Sequence, residues 1–556
     1  MSSSRRDFLK KFGAGAALTL YSRDLFGQIL ADSPKGLPLE TRFKALADIV
    51  LAEGKAAGCS YTDVRFTMTS SLGGTSVTVR PDGPSGPGGG GFGGGFGGGG
   101  FGGRFGGGRR IEGIPSDEDR RPGGFGVRVI HSGVWGFASS PILTEDELRR
   151  VTRVAVEVAK ASAIAKKTDM KLAPVQAYQE HYITPMVKHP DSVSAADKEA
   201  WARAIADKAA AVKGVTSVTV SCNTSYEWRY FASSVGSYIE QELFTTTPSL
   251  NVSARVGDVT KTRQWPGVGG TGGWEFAENS KFLDNAEKAA VDAVEMCTAK
   301  PLGSSGFKDL ILSPAHAMLT IHEIVGHPTE VDRIVGYEAN YAGTSFIKLT
   351  DIGKLQYGSK HFNITADKTT PGMGTVGFDD DGVKTQKWPL VREGVLVGLQ
   401  TNRETAHFIG ENESRGCTFG SSWRDYPFLR MPNVQLDAGP EGSPTKEELI
   451  ADVKDGVMID GRGSYSIDQQ RYNGQFGGHI FWEIKNGKIT RQVTDVTYNA
   501  ITTDFWKNLD GVTGPKEWEM HGTGGDAKGQ PTQTNSISHG SPWLLIRNIN
   551  VGAAFD

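Results

Sequence analysis

"TIHEIVGHPTE", residues 320–330, is the stretch on which the reading of this chain turns. It holds two histidines, with Glu323 directly after the first. His322 and His327 are five residues apart, and at about 100° per residue a regular helix would set them roughly 140° from each other. On such a helix they could not share one ion. One residue inserted into the turn, a π-bulge, brings them back to a common side, and bulges of this kind often sit at functional sites. The flanking residues suit it. Ser313-Pro314 pairs an N-cap acceptor with proline at the first helical position, Gly326 offers backbone freedom before the second histidine, and Pro328 limits how the helix continues. With both imidazoles on one zinc ion, Glu323 stands where a general base would act on water whose pKa the metal lowers to about 7. The motif alone equally describes a capped helix with one buried and one surface histidine.

The bulk composition narrows the field. A chain of 556 residues exceeds what one hydrophobic core usually supports, so two or three domains are expected. With 38% hydrophobic and 22% charged residues and a net charge of -3, nothing favours nucleic acid or an acidic membrane as partner. No apolar run approaches the ~18–20 residues of a stable membrane span. Cys59, Cys222, Cys297 and Cys417 are scattered, which argues against a disulfide scaffold and a cysteine-rich zinc site. Near the start, "SRRDFLKKFGAGAALTL" matches a twin-arginine export pattern, an address read by a receptor. Residues 1–35 are therefore expected to send an already folded protein to the periplasm or another extracytoplasmic space.

The remaining chain divides by composition. Residues 36–175 read as an N-terminal α/β domain, opening with Leu46, Ile49, Val50 and Ala56 at helical spacing and a strand from Tyr61. Inside it, residues 84–110 are so rich in glycine that fixing their backbone would cost too much entropy, and a disordered insertion is expected. Arg104, Arg109 and Arg110 are too few to make that tract an RNA-binding segment. A hairpin about His131-Ser132-Gly133 follows, then a helix over 144–163 opened by Thr144 and Glu147 as a capping box. Residues 176–300 read as a central domain, with a helix at 192–213, antiparallel strands over 215–256 and a helix ending near Pro301. From 301 to 556 short strands and Gly/Asn/Asp turns predominate, which predicts a β-rich C-terminal domain carrying the His322 helix. The class is α+β.

Several stretches together resemble the TldD/PmbA family of metallopeptidases. "HEIVGHPTEVDR", "GFGVRVIHSGVWGFASS", "GGTGGWEFAENSKFLDNAEKAAVDAV", "KDLILSPAHAMLTIHEIVGH" and "GHIFWEIKNGKITRQV" carry the likeness across most of residues 40–550. The resemblance implies that His322 and His327 bind one zinc ion per chain and that Glu323 is the general base. The family's third ligand is typically a cysteine. Aligned on Lys528-Gly529-Gln530-Pro531, that position holds Asp526 here. Zinc accepts a carboxylate oxygen, a harder donor that widens the choice of metal. His521 and His539 remain alternatives, His539 mainly as a group behind a ligand or against substrate. Glu330 is positioned to orient His327, as metal-bound histidines usually require. "SSWRDYPFLRMPN" (421–433) offers aromatic and arginine side chains either for peptide contact or for packing. The resemblance further implies extended peptide substrates, unfolded or partly degraded, held by strand addition, and a homo-oligomer or a heteromer with a TldE/PmbA-like paralogue. The absent cysteine supports a second reading, a non-catalytic peptide-binding or assembly subunit.

Overall fold

The computed structural model of the protein describes residues 39–81, 86–87 and 123–553. The expected export segment and nearly all of the glycine tract lie outside these residues. Gly86–Pro87 is the described part of the tract and pairs with the end of the first strand.

Helix α1 (Leu39–Ala56) ends before Gly58, and strand β1 (Tyr61–Val79) begins three residues later. Strands β2 (Gly123–His131) and β3 (Val134–Ser140) form the expected hairpin. Its two turn residues, Ser132 at φ 54 and Gly133 at φ 77, are both left-handed, the twist that suits a two-residue hairpin. Helix α2 (Glu145–Ser162) is capped by Thr144, whose side chain accepts from Glu147 N, while the Glu147 carboxylate turns to Arg150. Then come β4 (Gln179–Ile183), α3 (Ala195–Ala210), β5 (Val215–Ser233), β6 (Tyr238–Val256), β7 (Val259–Trp265) and α4 (Phe282–Met296).

These strands, with Gly86–Pro87 beside β1 and Gly270–Thr271 beside β6, build one nine-stranded sheet, ordered β3-β2-β1-β5-β6-β4, with β7 also beside β6. The segments 36–175 and 176–300 thus share a single sheet. Its two ends carry separate cores. Phe43 and Val50 of α1 and Leu148 and Val156 of α2 pack on Val64, Phe66, Trp228 and Tyr230. Ala206 and Ala209 of α3 and Phe282 and Ala290 of α4 pack on Val77, Val218, Val220 and Val252. The long strands β1, β5 and β6 run through both.

The C-terminal part starts with β8 (Gly306–Leu312) and α5 (Pro314–Ile321). Strands β9 (Ile364–Asp367), β10 (Lys387–Arg392) and β11 (Asn433–Leu436) form a small antiparallel sheet. Strands β12 (Asp455–Ile467), β13 (Asn473–Lys485), β14 (Lys488–Thr494) and β15 (Val496–Ile501) follow. A hairpin of β16 (Glu519–Lys528) and β17 (Gln533–Ser541) precedes the last strand, β18 (Leu544–Ala553). Strand β13 pairs along one edge with β12, and along the other first with β15 and then with β14. Strand β15 pairs with β18, β18 with β8, and β8 with β12. The five strands close into a ring, which removes the free edges of an open sheet. Helix α5 and the small sheet share one core with it, through Leu319, Ile321, Ile324, Ile364, Val434, Ile459 and Phe476. The α+β class with a β-rich C-terminal part holds. No helix among the described residues is long and apolar enough to cross a membrane.

Candidate metal centre

The motif sits where α5 loses its regularity. Ser313 Oγ accepts from His316 N at 3.1 Å and opens the helix. After Ile321, residues His322–Gly326 form one π turn, in which His327 N–H reaches His322 O. The inserted residue falls as the spacing requires, yet glycine does not absorb the irregularity. Ile324 does, at φ -113 and ψ 16, while Gly326 is ordinarily helical at φ -59 and ψ -62. Gly326 is needed for lack of a side chain: a Cβ there would lie 2.3 Å from Met431 Sδ, in the core. The carbonyls of the turn have partners from elsewhere. Tyr357 Oη donates to Ile324 O at 2.7 Å and Gln400 Nε2 to Gly326 O at 2.6 Å.

The π turn brings the two imidazoles together, with ring centroids 4.6 Å apart. Asp526, on β16, meets them. Its Oδ1 lies 3.6 Å from His322 Nε2 and 3.5 Å from His327 Nε2, and one donor atom from each residue falls within 4.8 Å of the others. A tetrahedral zinc ion with bonds of ~2.0–2.2 Å separates its donors by roughly 3.3–3.6 Å. These three residues fit such an ion.

Their surroundings set the protonation each ligand needs, which for histidine is read from its hydrogen-bond partners. His539 Nδ1 lies 2.9 Å from Val434 O, closer than Val434 N at 3.3 Å, so this nitrogen donates. His539 Nε2 then accepts from His322 Nδ1 at 2.8 Å, and the lone pair on His322 Nε2 is left facing Asp526. His327 Nδ1 donates to Glu330 Oε2 at 2.9 Å, leaving its Nε2 free in the same way. Burial, with Arg333 adding to it, pushes His327 down to about 4. Burial disfavours the Glu330 charge, but Lys528 and then Arg333 outweigh it and hold the carboxylate well below its usual range. Lys528 is itself buried, bonding Glu330 Oε1 at 3.0 Å and Asp332 Oδ2 at 2.7 Å. Burial likewise opposes the charge on Asp526, and Arg430 overcomes it. Arg430 Nη2 reaches Asp526 Oδ2 at 3.1 Å and its main-chain oxygen at 2.6 Å. Oδ1 is thereby left toward the histidines.

Glu323 is 4% exposed. Burial works against its charge, but His322, His327 and Arg471 hold its carboxyl below the ordinary value. Arg471 Nε stands 3.8 Å from Oε2.

Of the residues proposed from sequence, His322, His327, Asp526, Glu323, Glu330 and His539 therefore gather at one place. His521 does not. It bonds Glu519 and Gly267 O instead and stands apart from the donor group. Arg430, Lys528, Arg333, Tyr357 and Arg471 were not anticipated in their roles, although Arg430 lies in the 421–433 cluster. It is fully buried and serves Asp526. A second histidine–carboxylate group, His181 with Glu240 and Glu242, lies on the N-terminal sheet, and its carboxylates already bond Trp228, Tyr226 and His181.

Two imidazole nitrogens and a carboxylate oxygen at this spacing, with a buried glutamate alongside, are the donor set a hydrolytic metal centre uses. Known proteins agree. The chain matches the PmbA/TldA metallopeptidase C-terminal domain over residues 305–553, the central domain over 188–296 and domain 1 over 116–159. A metalloprotease of Methanothermobacter thermautotrophicus is 30% identical over 440 residues, 78% of this chain and 89% of its own. A zinc metalloprotease TldD homolog of Saccharolobus solfataricus is 19% identical over 445 residues, 77% and 90% of the two chains. In structure, a protein described as a candidate modulator of DNA gyrase from Thermotoga maritima superposes with a TM-score of 0.66 at 17% identity, over 92% of this chain and 100% of that one. TldE from Thermococcus kodakarensis does so with a TM-score of 0.62 at 14% identity, over 91% and 99%. At such identities the structures share the fold. The chain belongs to the PmbA/TldD metallopeptidase family.

Proposed function

We propose that this protein is a zinc-dependent peptidase of the TldD type, with one ion held by His322 Nε2, His327 Nε2 and Asp526 Oδ1. The observation that carries the reading is the placement of that one Asp526 oxygen 3.6 and 3.5 Å from the two imidazole nitrogens. A zinc ion there supplies Lewis acidity toward water and a peptide carbonyl. Asp526 takes the place of the family's cysteine, and Arg430 keeps it ionised and aimed. His539 and Glu330 hold the two rings with Nε2 toward the ion. Glu323, buried and ionised, takes the proton that the attacking water gives up at its carboxylate and returns it to the departing amine. The resemblance to TldD proteins supports extended, unfolded or partly degraded peptides as substrates. The shared fold with TldE supports a TldE-like partner. The Arg5-Arg6 segment supports export by the twin-arginine route.

The test is metal content by mass spectrometry of protein purified without chelator. We expect near one zinc per chain, lost in His327→Ala and kept in Glu323→Gln, with peptide hydrolysis falling ~10²- to 10⁴-fold in the latter. Chelation should abolish hydrolysis and zinc should restore it. A wild type without stoichiometric metal would instead support the peptide-binding subunit.

A further inference from the structure

The turn between β12 and β13 delivers Arg471 to the centre from a second direction. Its backbone is left-handed, with φ 61, a region where glycine, asparagine or aspartate is usual and a long side chain is disfavoured. The turn is nevertheless tightly held. Asp468 Oδ1 accepts from Tyr472 N and Asp468 Oδ2 from Asn473 N, each at 2.9 Å. Gln469 O and Gln470 O accept from Thr344 N and Phe346 N at 2.7 and 2.9 Å. A strained residue kept in place by such surroundings points to a function for what it presents.

What it presents is a guanidinium whose Nε stands 3.8 Å from Glu323 Oε2, beyond hydrogen-bond length. This Nε is buried and has no hydrogen-bond partner among the described residues. The terminal nitrogens reach main-chain carbonyls alone, Asp468 O and Ala342 O, each at 3.4 Å. Tyr465, on the same hairpin, lies near the same carboxylate, whose charge adds to burial in raising its hydroxyl. The hairpin therefore brings Arg471 and Tyr465 toward Glu323 from outside its own helix.

We propose that Arg471 is a positioning residue for Glu323, orienting its carboxylate toward the His322, His327 and Asp526 face. This rests on the reading of Glu323 as the base. The informative variant is Arg471→Gly, because glycine is at ease at this backbone angle while the guanidinium is lost. We expect kcat to fall ~10- to 100-fold, the range for removing a partner that orients a reacting group, with KM nearly unchanged. Zinc content should equal that of the wild type, and Tm should be no lower. Arg471→Lys should recover part of the lost kcat. Wild-type kcat in Arg471→Gly, or a lowered Tm with a matching loss of active protein, would reduce Arg471 to a structural residue of the turn. A wild type that neither holds zinc nor cleaves peptide would fail before any variant is compared, and would take this role down together with that of Glu323.

Discussion

His539 Nε2 accepts a hydrogen bond from His322 Nδ1 at 2.8 Å, and this contact decides which His322 nitrogen is available to an ion. The order of donors runs from the β17 hairpin inward. Val434 O takes the His539 Nδ1 proton, His539 Nε2 takes that of His322 Nδ1, and His322 Nε2 is left with its lone pair. The reverse order, with Val434 N–H donating to His539, would put a proton on His322 Nε2 and block it. The shorter contact, 2.9 against 3.3 Å, selects the productive order.

His539→Phe keeps most of the volume and removes the acceptor. Zinc affinity is expected to fall about 10- to 100-fold, as it does when the group behind a metal-bound histidine is lost. His539→Gln, which retains an acceptor oxygen, should lose less. Competition titration with a zinc chelator measures both, and equal affinities for all three proteins would show that another group sets the His322 tautomer.

The π turn gives a second expectation, about packing. Alanine at Gly326 places a methyl group 2.3 Å from Met431 Sδ and 2.6 Å from its Cε. Met431 is 1% exposed, so its flexible end has little room to retreat, and overpacking of this kind costs about 1–3 kcal/mol. The relief should be specific: Gly326→Ala combined with Met431→Ala should destabilise less than the sum of the two single changes, because the clash and the cavity occupy the same space. Additive losses in thermal unfolding would place the strain elsewhere in the turn.

The parts of this centre that were legible in sequence are the local ones. Ser313-Pro314 marks a helix start by chemistry that acts over three residues, and a five-residue histidine spacing requires an inserted residue if both rings are to meet one ion. Glu330 could be placed because it lies one turn beyond His327. Arg430 and Lys528 could not, since each meets its carboxylates across about a hundred residues or more of chain and only the folded hairpins bring them there. Gly326 was legible as necessary but not in its reason, because the obstructing atom belongs to Met431. The sheet that residues 36–175 and 176–300 share was hidden for a similar reason. Two helix pairs make two cores, and nothing in the periodicity of β1, β5 and β6 reveals that these strands pass beneath both. His521 and His539 oppose each other across the β16–β17 hairpin, and it is the folded hairpin that sets His539, not His521, beside His322.

The last expectation concerns pH and a histidine that is not a ligand. His316, on α5, is fully buried, with Nδ1 2.9 Å from Gly461 O and Nε2 2.9 Å from Tyr498 Oη. Burial pushes its pKa from 6.5 down to about 4. Between these values the unfolded chain takes up a proton that the folded one refuses. The contribution of His316 is therefore intact above pH ~6.5 and is lost as pH falls toward 4, to a total of about 3 kcal/mol at ~1.4 kcal/mol per unit. A melt of the whole protein will not isolate this. Burial raises Asp379 and Glu404 to about 7, with Asp381 adding to each. Those carboxyls favour the folded state at low pH and lose that contribution as pH rises through 7, which is the opposite sign in the same window. The difference between wild type and His316→Gln cancels them. From pH 7 to 4.5 the wild type should lose about 2–3 kcal/mol more unfolding free energy than the variant, and a difference independent of pH would mean that His316 is not held neutral inside the fold.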